Sequence, residues 1–178
     1  MKYTLIIFFL LYQNVYSQKI LWQEGNTLSW ANFKSKVNTQ KGQNIVAYTH
    51  CGWMYSYVKS SNPKSQIQVK IETIFDEDKS WKDVKRINNY VLGHEQKHFD
   101  IAEIFARKLR KEVSEKILTN ADFDKYFQEI YNRITKEYRN FQQSYDMETK
   151  NGTNEEKQAE YNRIVAEELE KFKNYSIS

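Results

Sequence analysis

The run Leu92-Gly93-His94-Glu95-Gln96-Lys97-His98-Phe99-Asp100-Ile101-Ala102-Glu103 decides how this chain is read. Around it, Val84, Ile87, Val91, His94, His98, Ile101, Phe105, Leu109 and Val113 recur every three or four residues, the period of one helix face. The helix is expected to begin at Ser80 or Asp83, because Ser80-x-x-Asp83 has the spacing of a capping box. Inside it, His94-Glu95-Gln96-Lys97-His98 has the pattern H-E-x-x-H. Residues four apart stand one turn apart on one face, so both imidazoles can reach a single ion at about 2.0–2.1 Å. Glu95 stands about 100° around the helix, placed to touch water on the metal without ligating the metal itself. A zinc ion makes that water acidic, and a neighbouring carboxylate can take its proton as it attacks a carbonyl.

The pattern is specific. Two of the 3 His in the chain are spent on it, and with 16 Glu in 178 residues chance supplies it in only about 0.004 of such chains. The competing account puts both histidines on an apolar seam as core residues. Two adjacent buried imidazoles are costly there without an ion or hydrogen-bond partners.

Downstream, a second helix is expected from near Asn120, with Phe123, Phe127, Ile130, Ile134, Tyr138, Phe141 and Tyr145 on one face. A third starts near Asn154 and carries Tyr161, Ile164, Val165, Leu169 and Phe172. Upstream, the pattern changes. Ile67, Val69, Ile71, Thr73 and Phe75 alternate with polar residues, as a half-buried strand does, and Ile45 to Val58 also reads as extended. The turn chemistry of Lys59-Ser60-Ser61-Asn62-Pro63-Lys64 joins the two as a hairpin. Trp22 and Leu28 to Phe33 read as an edge strand and a short turn. Strands followed by helices give an α+β fold. Residues 18–178 form one domain, with no repeat and no Pro/Gly-rich linker to divide it.

The first seventeen residues read as a signal peptide: Lys2, an apolar run from Leu5 to Tyr12, then Val15-Tyr16-Ser17 before Gln18. The expected product is exported, periplasmic or extracellular, with no integral membrane segment once the signal is removed. Lys+Arg total 27 against 23 Asp+Glu, a net +4 without any basic stripe, so nucleic acid is not an expected partner. The single cysteine, Cys51, excludes an internal disulfide and is expected to be a buried apolar residue. No phosphate-binding glycine loop or Ser/His/Asp set is visible.

A catalytic zinc takes three protein ligands and keeps an open position. Ile101 and Ile104 stand where H-E-x-x-H-x-x-G-x-x-H needs Gly and His, so the third ligand comes from elsewhere in the chain. The polar cluster from Tyr145 to Gly152 is the leading candidate, although a helix C-terminus at Gly152 and a cap at Asn154 also account for its composition. His50 is the other possible ligand.

The run from Leu92 to Glu103 resembles the core of a bacterial family, domain of unknown function 922, whose members are predicted to be secreted zinc-dependent proteases. Leu28-Ser29-Trp30-Ala31-Asn32-Phe33 resembles the family's L-S-W-x-D-F, and Ser80-Trp81 resembles the S-W before its metal helix. Tyr145-Asp146-x-Glu148-Thr149, with Gln158 downstream, resembles its C-terminal Y-D-x-x-T. The resemblance covers nearly all of the chain after residue 17. It implies a zincin-like fold, Zn²⁺ as cofactor and Glu95 as general base. One position departs: members often carry a His where this chain has Asn151. If that His is the family's third ligand, zinc binding is weakened here; if Asp146 is, the site is intact. Asp146 is preferred, as a short and stiff oxygen donor at a helix end, with Glu148 in reserve.

These readings converge on an exported zinc metallohydrolase acting on a peptide or protein substrate. Zinc sits on His94, His98 and Asp146, and a strand of the 45–76 region takes an extended peptide by edge pairing. The alternative is a catalytically inactive zincin-like binding or structural protein of the cell envelope. Asn151 favours that alternative; an intact Glu95 argues against it.

Overall fold

A computed structural model describes residues 18–38 and 45–177; the signal-peptide reading of residues 1–17 lies outside them. Three strands form an antiparallel sheet in the order β1 (Lys19–Leu21), β4 (Gln68–Asp76), β3 (Cys51–Val58). The expected hairpin is β3–β4, in register from Cys51 opposite Phe75 to Val58 opposite Gln68. Ile67, Ile71, Thr73 and Phe75 are buried on one face, which is what the alternation required. A second pair joins β2 (Ala47–Tyr48) to β5 (Trp81–Lys82). Three helices follow, α1 (Asn89–Lys116), α2 (Asn120–Thr149) and α3 (Glu155–Lys171), so the fold is α+β. Thr119 and Asn154 cap α2 and α3 through their side chains.

The start of α1 corrects the sequence reading. The cap is Asn88, whose side chain accepts from the Val91 amide, and not Ser80 or Asp83. Ser80 is buried; its hydroxyl donates to the Asp76 carbonyl and accepts from the His50 amide. Trp81 is drawn into β5 opposite Tyr48, and Asp83 closes a turn by accepting from the Lys85 amide and Arg86 Nε. Pairing and burial of Trp81 therefore outweigh a local capping signal, and Val84 is left 70% exposed instead of on the helix seam.

The main core gathers Ile101, Phe105 and Leu109 of α1 with Ile134 of α2, Val165 of α3 and Ile71 of β4. Leu28, Phe33, Phe75 and Phe99 form a second, smaller cluster. Between α1 and the sheet lies a buried ionic network. Glu103 accepts from Thr73, Arg107 and Arg110, while Arg110 also donates to the Ile71 carbonyl. It fixes α1 against β4. α1 and α2 run antiparallel, since Arg133 pairs with Glu112 near one end and Gln142 bonds His98 nearer the other. The last turn of α2 is thereby delivered to the first turns of α1. Among the described residues, no helix is long and apolar enough to cross a membrane.

Candidate metal centre

His94 and His98 project from α1 into a cavity of about 590 Å³, whose far walls are the segment 45–53 and one face of α2. Asp146, on the last turns of α2, meets them there. His98 Nε2 lies 3.3 Å from His94 Nε2. Asp146 Oδ1 stands 3.0 Å from His98 Nε2 and 3.4 Å from His94 Nε2. Donors about 2.0–2.1 Å from a tetrahedral ion are separated by roughly 3.3–3.4 Å, so this triangle has the dimensions of one face of such a site. Among the described residues it is the one group of three or more His, Cys, Asp or Glu donors close enough to share an ion.

The imidazoles are held from behind. His94 Nδ1 is 2.9 Å from Gln158 Oε1, and His98 Nδ1 is 2.5 Å from Gln142 Oε1. An amide oxygen only accepts, so each Nδ1 carries a proton, which leaves each Nε2, on the Asp146 side, as the atom that takes a metal ion or a second proton. Gln142 also donates to the His98 carbonyl, and Gln158 donates to the Tyr145 hydroxyl. The Tyr145 ring stacks on His94 at 4.6 Å and meets His98 edge-on. Burial and the nearby carboxylates keep its hydroxyl protonated far above neutrality.

Beyond Asp146 the chain turns through Lys150, Asn151 and Gly152, all at positive φ. Gly152 does more than end the helix. A Cβ there would stand 3.0–3.2 Å from three atoms of His94, at a φ of +82° that favours glycine. Gly152→Ala is expected to tilt the imidazole and weaken metal binding by about 10–100-fold, the usual cost of disturbing a ligand's support, as read by competition with a chelating dye.

Glu95 is buried in the same cavity, and its Oε2 has no hydrogen-bond partner among the described residues. Glu148 points elsewhere, accepting from the Tyr161 hydroxyl and lying 3.5 Å from Lys157. His50 and Asn151 line the cavity without joining the donor triangle. Cys51 is not simply core: half-buried on the cavity wall, its thiol donates to the His98 carbonyl, and burial pushes its pKa up to about 12.

Burial alone would lower the His98 pKa, but the Asp146 carboxylate outweighs it and raises the value from 6.5 to about 9. Burial works against the charged form of Asp146 too, yet the two imidazoles hold it well below the usual carboxylate range. A pKa raised by folding stabilises fully below the unfolded value and is lost above the folded one. The metal-free protein is therefore expected to lose thermal stability as pH rises from 6.5 to about 9. In a melting series, Asp146→Asn should flatten that decline.

Gln142 and Gly152 had no functional reading in the sequence. Gln142 lies one turn before Asp146 and could have been found only by assuming that α2 aims that face at α1. A family model described as "Bacterial protein of unknown function (DUF922)" matches residues 25–154, which include all three donors. No curated protein and no solved structure matches the chain.

Proposed function

This chain belongs to that bacterial family of unknown function, DUF922, and we propose that it is an exported, zincin-like zinc hydrolase that cuts peptide bonds. The observation that carries this reading is the His94–His98–Asp146 triangle, with the Glu95 carboxylate in the same cavity, its Oε2 without a hydrogen-bond partner among the described residues. His94, His98 and Asp146 would hold the ion. When bound, zinc supplies Lewis acidity toward water and toward a substrate carbonyl.

The chain's own groups divide the remaining work. Gln142 and Gln158 fix the tautomers, so neither Nε2 has to reorganise. Glu95 Oε2 takes the proton of the attacking water and passes it to the leaving amine nitrogen. Its burial keeps bulk water from competing for that acceptor. β3 is the edge of its sheet, bonded to β4 on one side only among the described residues, and its first residues wall the cavity. An extended peptide would lie there as an added strand. The partnerless Glu95 favours turnover over a purely structural metal, which has no use for an enclosed carboxylate.

The test is cleavage of a reduced, unfolded protein by metal-loaded protein. Cleavage should stop with a chelator and return with zinc. Verified stoichiometric zinc without cleavage of any unfolded substrate would replace the hydrolase with a binding module.

A further inference from the structure

Arg139 stands apart from the other arginines. Arg86, Arg107, Arg110, Arg133 and Arg163 each pair with a carboxylate. Arg139 is on the cavity wall and has no hydrogen bond or ion pair among the described residues. Its neighbours one turn away on α2 are Thr135, Lys136, Gln142 and Gln143, none of them acidic. Two other donors on that wall, the Trp53 indole N–H and the Thr135 hydroxyl, are enclosed without a partner among the described residues.

The cavity is thus polarised. Its carboxylates, Glu95 and Asp146, gather at the metal end, whereas the wall that α2 and β3 form away from it carries the solvent-exposed Arg139 guanidinium, the enclosed Trp53 indole N–H and the enclosed Thr135 hydroxyl. An indole N–H and a guanidinium can only donate, so the occupant that suits them is a carboxylate, which accepts at both oxygens. Arg139 lies seven residues before Asp146, about 10 Å along the helix axis. An extended peptide advances about 3.3 Å per residue, so that offset spans about three residues.

We propose that Arg139, with Trp53 and Thr135, forms a carboxylate-recognising subsite, so that the preferred substrate is a peptide with an acidic side chain within about three residues of the scissile bond. This rests on the hydrolase reading for its identification of the occupant as substrate, but binding tests it without turnover.

Metal-free protein would be titrated with alanine-based pentapeptides carrying one Glu, or one Gln in its place, while the Trp53 indole N–H is followed by NMR and assigned with Trp53→Phe. The Glu peptides should bind about tenfold more tightly, and the difference should vanish in Arg139→Gln. Equal binding of the Glu and Gln peptides, or a preference that survives Arg139→Gln, would overturn the subsite. Zinc-loaded protein acting on a proteome-derived peptide mixture gives the second readout. Cleavage sites should be enriched in Asp and Glu at one fixed position, and Arg139→Glu should shift that enrichment to Lys and Arg. Cleavage without acidic enrichment refutes the subsite alone. A Glu preference in the titration without any cleavage refutes the hydrolase and leaves the subsite standing.

Discussion

Glu95→Gln is expected to retain zinc and fold while losing peptide hydrolysis by a factor of about 10²–10⁴, the usual contribution of a positioned general base. The exchange keeps the shape of the side chain and removes its negative charge and its capacity to take a proton. Glu95 is not one of the three grouped donors, so metal content should not change. It is 4% exposed with Oε2 unpartnered, and an enclosed carboxylate without a donor costs free energy. The amide should therefore leave the melting temperature equal or higher. If Glu95 instead held the fold together, the variant would melt lower and activity would follow the folded fraction. Turnover number, zinc per chain and melting temperature, measured on one preparation, separate the two cases. Retained activity would remove Glu95 from the chemistry.

Glu103→Ala should be the most damaging change away from the cavity. Glu103 and Arg107 are each only 2% exposed on their side chains, and Glu103 also receives Arg110 and Thr73. Removing the carboxylate leaves enclosed guanidinium charge with carbonyl acceptors but no counter-charge, which costs about 3–5 kcal/mol where a buried pair is broken from one side. Urea unfolding should show that loss. Glu112→Ala, which breaks the more exposed pairs to Lys116 and Arg133, should stay within about 1 kcal/mol. A Glu103→Ala loss as small as that of Glu112→Ala would mean that Arg107 and Arg110 find water or other acceptors. Because the network fixes α1 to β4, part of the metal affinity should fall with stability.

The features legible in the sequence were those set locally. Alternation from Ile67 to Phe75 marks β4 and its buried face, and the helix starts expected near Asn120 and Asn154 are those of α2 and α3. His94 and His98 meet because they are one turn apart on one helix. Tertiary contacts decided the rest. The Ser80 signal gave way to pairing of Trp81 with Tyr48, an interaction that no capping rule contains. Asp146 could be preferred from sequence but not placed, because its approach depends on the antiparallel register of α1 and α2. Gly152 read as a helix stop, and its packing on His94 joins segments far apart in the chain. Arg139 carries no signal of its own in the sequence, because only the packing of α2 places it on the cavity wall.

The most direct measurement of the central claim is the metal content of the purified protein by elemental analysis, beside His94→Ala and Asp146→Ala. Near one zinc per chain, lost in both variants, is the predicted result. No zinc in the unmutated protein after reconstitution, or zinc that survives Asp146→Ala, would contradict it.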